Sequence, residues 1–425
     1  MILELDFNGY KFFEDGSKIS FSPDERTKKL LSNAVEIDNK NVLKAISLYG
    51  PNNSGKTNIV RLFKYIKNLF GGASISEINN LEFGDQNVVD ISITFNNNDG
   101  NGWFKYDFCF DNVGNKFVRE KLSSVTFYKK GSPFYKLIFE RNFIEKRFEL
   151  MGEDESIVFQ YISAKEPLLY SLELESGKYS ILKPYIDVFK KFAASIEIVR
   201  MYNIQIQNTI NALKEGDQEK KDFIVSFVKS SDLSVQDFYY DNGGMEREPK
   251  IQINEGALKY YETISDTIHL KTMYGNKPVL SLIHDSSGTK KIQAIASYIY
   301  DAIADGKTLV VDEMDNGLHF QLTRAIVGAF NNIANKTGQL VFSAHDLMLI
   351  DCNFLMRKDQ IYFIERQEEK AQLFCLKDFP VAEGGPREGT ELVRRYKHGD
   401  FGRMPVPNFT KEVLKISNRR KANNG

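Results

Sequence analysis

The stretch from residue 41 to residue 70 constrains the fold of this chain more than any other part of the sequence. An apolar run over 41–50 ends in glycine and leads into GPNNSGKT at 50–57. Apolar side chains then recur at helical spacing over 59–70. This order predicts a buried strand, a glycine-rich loop and an amphipathic helix, which together form one βα unit of an α/β fold.

The loop has the spacing of a P-loop, in which backbone N–H groups surround phosphates. Glycines let the chain curl so that consecutive N–H groups point inward, and the N-terminus of the following helix adds its positive end. The lysine reaches the β- and γ-phosphates, and the hydroxyl after it binds Mg²⁺. We therefore expect ATP and Mg²⁺ here, with Thr57 as a metal ligand. The predicted nucleotide-binding residues of the loop are Gly50, Asn53, Ser54, Gly55, Lys56 and Thr57.

Two acids follow a second apolar run, at the end of TLVVDE. In open α/β sheets, ligands bind where the carboxyl ends of the strands meet. We therefore expect Asp312 to be a ligand of the metal. Glu313 is the natural general base to polarise the attacking water.

Two further elements complete the set. The small turn of Ser286, Ser287 and Gly288 precedes a helical pattern, and such a turn at a helix N-terminus is a second device for binding phosphate. His345 follows the apolar run 340–344. Alone, a histidine at this kind of position is usually structural. The order of P-loop, Ser/Gly turn, strand with two acids and strand with histidine favours a catalytic role for His345.

The rest of the sequence predicts a chain of four parts. Alternating residues over 88–160 predict an antiparallel meander. A helical stripe over 181–199, which includes Ile196 and Val199, and two shorter stripes after it predict an amphipathic helical bundle. The predicted parts are a P-loop and meander segment (1–160), a helical insertion (161–245), an α/β segment with the remaining motifs (246–390) and a basic C-terminal tail (391–425).

The order of these motifs resembles an ABC-type ATPase head, with Walker A, signature, Walker B, D-loop and H-loop in turn. SSGT at 286–289, DEMDNGLH at 312–319 and FSAHD at 342–346 are most similar to the abortive-infection ATPases of phage defence, within the RecF/SMC/OLD clan. The resemblance implies an α/β fold, namely an ABC-type P-loop ATPase head with an antiparallel β subdomain and a helical insertion.

The resemblance also implies an active site shared between two chains. In this family the signature of one subunit binds the γ-phosphate held by the other, so that two nucleotides are sandwiched in a head-to-tail dimer. The residues implied to act within one chain are Lys56, Thr57, Asp312, Glu313 and His345. The residues implied to bind the partner's nucleotide are Ser286, Ser287 and Gly288.

The chain departs from the family pattern at the signature. Asp285 stands where leucine usually opens this motif, and Ser287 replaces its first glycine. Gln86 is the candidate for the glutamine of the Q-loop. No aromatic residue near the N-terminus stands out as a contact for adenine.

Composition excludes several other classes. The 56 basic and 57 acidic side chains give a net charge of −1, so bulk charge does not predict nucleic-acid binding. Three scattered cysteines indicate neither a disulfide framework nor a zinc site. No run approaches the roughly 20 apolar residues that span a bilayer, and we expect a cytoplasmic protein without a membrane partner. The tail 391–425 carries nine basic and three acidic residues, which suits either a solvated tail or a docking site for an acidic partner or nucleic acid.

These features predict an ATPase that forms an ATP-sandwiched homodimer or higher oligomer. The resemblance implies a sensor or regulator of an antiphage defence system. Since the C-terminal stretch has no HNH-like histidine cluster and no long acidic TOPRIM-like segment, we expect the effector, a nuclease or toxin, to be a separate protein. The alternative is a RecF-like DNA-maintenance ATPase that clamps duplex DNA, which a continuous basic groove on the dimer would favour. A nucleotide-gated scaffold without hydrolysis is disfavoured, because Glu313 would have no use there.

Overall fold

The computed structural model describes residues 1–75, 88–97, 100, 102–156, 162–172, 177–232, 234–241, 266–379, 409–410 and 414. Within these ranges the strands form sheets of eight, six, three and two strands. The candidate Q-loop residue Gln86 and nearly all of the tail 391–425 lie outside the described residues. What the sequence indicates for them therefore stays a prediction.

The described strands are, in chain order, β1 (Ile2–Asn8), β2 (Ser17–Ser20), β3 (Ala34–Ile37), β4 (Lys40–Leu43), β5 (Ala45–Tyr49), β6 (Val88–Asn96), β7 (Trp103–Asp111), β8 (Lys116–Thr126), β9 (Phe134–Asn142), β10 (Arg147–Leu150), β11 (Glu153–Asp154), β12 (Ile196–Arg200), β13 (Val235–Tyr240), β14 (Leu270–Tyr274), β15 (Lys277–Leu280), β16 (Thr308–Asp312), β17 (Gln339–Ser343), β18 (Ile361–Gln367) and β19 (Lys370–Cys375). The described helices are α1 (Lys56–Phe70), α2 (Leu168–Ser171), α3 (Lys183–Ala194), α4 (Gln207–Glu215), α5 (Gln218–Ser231), α6 (Ser281–His284), α7 (Ser287–Ala304) and α8 (Phe320–Asn331).

The six-stranded sheet is the central layer and has the order β12-β16-β17-β5-β18-β19. Its strands run parallel except for β19, which pairs antiparallel with β18 at the edge. Its central strands are apolar because both faces are covered. On β16, for example, Val310 belongs to one core cluster, whereas Leu309 and Val311 belong to the other. The sheet and its helices confirm the predicted α/β class.

One part of the predicted helical bundle is wrong. The stripe predicted a helix that includes Ile196 and Val199, but α3 ends at Ala194 and these two residues belong to β12. β12 pairs in parallel with β16. A short apolar run fits both a helix and a buried strand, so pairing with a neighbouring strand decides between them. The segment 161–245 therefore contributes a strand to the central sheet and is not purely helical.

The eight-stranded sheet is antiparallel, with the order β11-β10-β9-β8-β7-β6-β1-β2. The predicted meander is confirmed for β6 to β11, and β1 and β2 extend it at the other edge. Helices α1 and α3 pack between this sheet and the central one. Phe70 of α1 lies 5.2 Å from Phe95 of β6 and 4.8 Å from Phe192 of α3, ring centre to ring centre. Burial of these large apolar rings joins the two sheets.

The second core cluster lies on the opposite face of the central sheet. Helices α4, α5, α7 and α8 cover this face with residues such as Ile210, Ile224, Ile295 and Val327. None of the described helices has the length and apolar character needed to cross a bilayer. The side chains of the three cysteines are buried.

Candidate nucleotide site

The predicted strand, loop and helix are present as β5, the loop after it and α1. Asn53 and Gly55 have φ values of +65° and +119°, in the left-handed region that glycine adopts most readily. A Cβ on Gly55 would lie 2.9 Å from the Phe12 ring, and one on Gly50 would lie 2.6 Å from the carbonyl oxygen of Ile364. Both glycines are therefore required by the packing around the loop.

Lys56 and Ser54 are polar groups buried in this loop. The Lys56 Nζ donates hydrogen bonds to the carbonyl oxygens of Gly50 at 2.5 Å and Pro51 at 3.0 Å. Burial lowers the pKa of Lys56 to about 8, although nearby carboxylates act in the opposite direction. The Ser54 hydroxyl is buried and has no hydrogen-bond partner among the described residues. Buried polar groups normally have hydrogen-bond partners. A phosphate in the loop would provide one for the Ser54 hydroxyl and would also bind the Lys56 ammonium.

A cavity of about 290 Å³ joins the P-loop to the two acids and the histidine. Besides loop residues 52–58 its walls include the side chains of Phe12, Arg61, Asp312, Glu313 and His345. The carboxyl ends of β5, β16 and β17 meet here, as expected for parallel neighbouring strands. The structure therefore brings the predicted P-loop, metal-ligand and catalytic residues together.

The end of β17 and the D-loop hold these residues in place. The Ser343 hydroxyl donates to Asp312 Oδ1 at 2.7 Å and accepts from the Glu313 N–H at 2.8 Å. Asp315 Oδ2 accepts from the N–H of His345 at 2.7 Å and from the next N–H at 2.6 Å. Neither Ser343 nor Asp315 was recognised from the sequence. Their positions within FSAHD and DEMD are the only signal that the sequence offers for them.

Glu313 has an unusual backbone conformation, and His345 has a shifted pKa. Glu313 has a φ of +54°, a left-handed value that costs energy for a residue with a side chain and that recurs at active sites. Its Oε2 accepts from Asn316 Nδ2 at 2.9 Å. Partial burial and the charge of Lys56 lower the pKa of His345, which favours a neutral imidazole near pH 7. The arrangement can place a carboxylate base and an imidazole next to bound phosphates.

Phe12 is a wall residue that the sequence did not single out. Its ring is buried, and the Arg366 guanidinium lies 4.1 Å from its centre. The Ala371 N–H donates to the Phe12 carbonyl at 2.7 Å, so β19 fixes the N-terminal segment at this place. Contacts between segments so distant in the chain leave no local pattern.

The signature turn lies in a different cavity from the P-loop. Ser286 caps α7, and its hydroxyl accepts from the Thr289 N–H at 3.1 Å. This second cavity has a volume of about 380 Å³. Its lining includes Ser286, Ser287, Gly288 and His319. The predicted nucleotide-binding residues thus fall into two groups within one chain.

Asp285 anchors the signature turn. Its buried carboxylate accepts hydrogen bonds from Thr272 at 2.6 Å, Tyr274 at 2.8 Å, Ser281 at 2.7 Å and Gln293 at 2.6 Å. Thr272 and Tyr274 belong to β14, so the carboxylate joins the small three-stranded sheet to the start of α7. This network gives a physical reason for an aspartate where leucine is usual.

The donor atoms of the cavity suit a nucleotide-bound Mg²⁺. No group of three or more His, Cys, Asp or Glu side chains that could hold a metal occurs in the part of the chain that the structure describes. Thr57 and Asp312, however, line the same cavity. Mg²⁺ prefers oxygen ligands and usually takes several of them from water and substrate phosphates. One hydroxyl and one carboxylate therefore fit this ion when a nucleotide supplies the rest.

Comparison with known proteins gives a family match over most of the chain. The profile of the family described as "AAA domain, putative AbiEii toxin, Type IV TA system" matches residues 46–351. No curated protein matches the sequence.

Several solved structures are similar at low identity. The SMC head domain from Thermotoga maritima has 14% identity and a TM-score of 0.44, over 88% of this chain and 98% of that one. An SMC head bound to the C-winged helix domain of ScpA has 12% identity and a TM-score of 0.44, over 88% and 97%. The recombination mediator protein RecF-ATPrS of the RecFOR pathway has 11% identity and a TM-score of 0.36, over 88% and 98%.

Proposed function

Since the chain belongs to the AbiEii-type family of AAA domains, we propose that it is a cytoplasmic ABC-type ATPase that hydrolyses ATP with Mg²⁺. The observation that carries this proposal is the single cavity that joins the P-loop to Asp312, Glu313 and His345. Such a cavity has a positive group for phosphate, oxygen ligands for a metal and a carboxylate base, which are the parts that phosphoryl transfer to water requires.

Each residue has a role that its position supports. Lys56 exchanges the loop carbonyls for the β- and γ-phosphates, and Thr57 and Asp312 hold Mg²⁺. The ion, when bound, neutralises charge on the phosphate oxygens. Glu313 accepts a proton from the attacking water, and the neutral His345 donates a hydrogen bond toward the γ-phosphate.

We further propose that two chains share each active site. Ser286 and Gly288 line a cavity separate from that of the P-loop, so a second chain is needed to bring a signature turn to the γ-phosphate. ATP then lies between the P-loop of one chain and the α7 N-terminus of the other, where backbone N–H groups and the helix dipole favour phosphate.

Complementation between two inactive variants tests the shared site. Ser286→Arg should abolish hydrolysis but still bind a fluorescent ATP analogue, whereas Lys56→Ala should lose binding. A mixture of the two should regain part of the ATPase activity, because one composite site then has an intact P-loop and an intact signature. If hydrolysis needs both sites, ATP-dependent heterodimers should still form. Normal activity of Ser286→Arg alone, or full activity in a monomer, would contradict the proposal.

Within this framework we propose a role as sensor or regulator in antiphage defence, with a separate nuclease or toxin as effector. The link to defence is supported by the family description, "putative AbiEii toxin, Type IV TA system". The separate effector is proposed from the resemblance and from the sequence, in which no nuclease motif follows the ATPase motifs. Cells that carry the native locus should lose protection against phage when Lys56 is replaced by alanine. Strong, salt-sensitive stimulation of ATP hydrolysis by duplex DNA would instead favour a DNA-clamping ATPase.

A further inference from the structure

The second lysine after the signature turn contacts the D-loop. Lys291 lies on α7, and its Nζ donates to the backbone carbonyl of Asn316 at 2.8 Å and to the side-chain Oδ1 of the same residue at 2.6 Å. Gly317 has a φ of +70°, and a Cβ at this position would lie 2.8 Å from the Lys291 Nζ. The ammonium therefore occupies the space that a side chain at 317 would need, and charge-assisted hydrogen bonds join the signature helix to the D-loop.

The ammonium also determines which way the Asn316 amide points. Lys291 can only donate hydrogen bonds, so the oxygen of the amide must face it and the NH₂ group must face away. That NH₂ group donates to Glu313 Oε2 at 2.9 Å. A bond to one carboxylate oxygen fixes the rotation of the group, and this rotation decides where the other oxygen points.

The signature turn packs against the same loop through its backbone. A Cβ on Gly288 would lie 3.0 Å from the carbonyl oxygen of Gly317. The D-loop is itself closed by a hydrogen bond from the Asn316 N–H to the Glu313 carbonyl at 2.9 Å. The Gly288–Gly317 approach and the hydrogen bonds of Lys291 thus connect the start of α7 to the loop that begins at Glu313.

We propose that Lys291 and Asn316 are positioning residues that couple the signature turn of a chain to Glu313 of the same chain. The inference rests on the proposed function, in which the turn binds ATP held by the partner and Glu313 acts on ATP held by its own P-loop. The nucleotide in one composite site therefore adjusts the base of the other site. Hydrolysis at the two sites is coupled through a short path of named contacts.

Replacement of Lys291 by methionine, with Lys290→Met as the matched control, tests the path in the full chain. Both variants lose one positive charge near the start of α7, and both lysines border the cavity beside Met201 and Tyr202. The hydrogen bonds to Asn316, however, come from Lys291. We expect Lys291→Met to lower kcat roughly 10- to 100-fold, the range that loss of a hydrogen bond to a charged group supports. KM and binding of a fluorescent ATP analogue should stay within about 2-fold, since ground-state binding is not affected. Lys290→Met should behave as the wild type.

Asn316→Asp gives a second variant that preserves shape. It keeps an acceptor for Lys291 but removes the donor to Glu313 and sets one carboxylate against another. Its kcat should fall at least as far as that of Lys291→Met. The double variant should be no slower than the slower single variant, because residues of one path are not additive. If Lys291→Met does not fold, this variant decides the question.

Wild-type protein and Glu313→Gln, assayed alongside, separate the two levels of inference. A wild type without ATPase activity, or a Glu313→Gln variant as active as wild type, would overturn the proposed function and the coupling with it. An active wild type together with normal kcat in Lys291→Met or Asn316→Asp would overturn the coupling alone. A loss of kcat matched by an equal loss in Lys290→Met would do the same.

Discussion

The eight-stranded sheet and the carboxyl edge of the six-stranded sheet both bury charged side chains, but they provide different partners for them. In the eight-stranded sheet the side chains of Arg141 and Glu120 are both 0% exposed. Arg141 Nε donates to Glu120 Oε2 at 2.6 Å, and the Tyr106 hydroxyl donates to Glu120 Oε1 at 2.6 Å. The Leu168 N–H adds a further hydrogen bond at 3.1 Å. Each charge in this network has an opposite charge and neutral hydrogen-bond partners from the protein itself, which are donors for Glu120 and carbonyl acceptors for Arg141.

At the carboxyl edge of the central sheet the hydrogen-bond partners are neutral. Carbonyl oxygens hold the Lys56 ammonium, and an amide holds Glu313. Both residues line a cavity. A buried ion pair that the protein completes serves the fold, whereas charges that face a cavity are ready to exchange their partners for a ligand. This difference separates a structural network from a candidate active site.

Replacing a charged residue at the carboxyl edge of the central sheet should have the strongest effect, and the effect is on catalysis. Glu313→Gln should lower kcat by about 10²- to 10⁴-fold, because the amide cannot accept the proton of the attacking water. ATP binding should persist, and an ATP-bound dimer should accumulate. Phosphate release in the steady state and size-exclusion chromatography with ATP measure both effects. Hydrolysis at the wild-type rate would show that Glu313 is not the base.

The next effect concerns the buried Arg141–Glu120 pair of the eight-stranded sheet, and it should change stability alone. Arg141→Met leaves the Glu120 carboxylate buried without its partner, so the free energy of unfolding should fall by about 3–5 kcal/mol. Chemical denaturation measures this change, and KM for ATP should stay unchanged in the folded fraction. The matched control is Arg147→Met in the same sheet, which breaks an exposed pair with Glu149 and should change stability by less than about 1 kcal/mol. Equal losses in the two variants would contradict the comparison.

A smaller effect is expected at Asp285, a buried carboxylate whose hydrogen-bond donors are neutral side chains. Asp285→Leu restores the usual family residue but removes the acceptor of the Thr272 and Tyr274 hydroxyls, which should cost about 1–3 kcal/mol of stability. Since Ser286 follows directly, kcat should fall as well. Asp285→Asn keeps the shape and one acceptor oxygen and should lose less of both. A fully active and stable leucine variant would show that the network does not position the turn.

The smallest effect is a pH dependence at the amino end of the central sheet. Lys44 donates to the Asn332 carbonyl at 2.8 Å, and burial lowers its pKa to about 8. Above that pH the folded chain releases a proton that the unfolded chain keeps up to about pH 10.4, so the free energy of unfolding rises with pH.

Lys44→Met should therefore be more stable than the wild type at pH 7.5, and its advantage should shrink by about 1 kcal/mol at pH 9. Urea denaturation of both proteins at the two pH values measures this difference. A difference that does not change with pH would show that Lys44 keeps an ordinary pKa.

The sequence predicted those residues of the candidate site that follow the carboxyl ends of apolar strands. Asp312 and His345 lie at or just after the carboxyl end of an apolar strand, and the loop that leads to Lys56 begins at another such end. Parallel neighbours bring these ends to one edge. Ser343 and Asp315 were not predicted, because a serine or an aspartate acquires its role only from the partner that packs beside it. The hydrogen bond between Ser343 and Asp312 joins residues on two different strands.

Features that depend on neighbours along the chain could be predicted from the amino-acid sequence. Glycine spacing determined the P-loop, alternation determined the strands of the meander, and helical spacing determined α1. Long-range packing was needed to establish three other features: Ile196–Arg200 is a strand, the signature turn lies in a cavity apart from the P-loop, and Lys291 contacts Asn316. The physical reason is that local patterns limit backbone conformation, whereas these three features depend on which distant elements pack together.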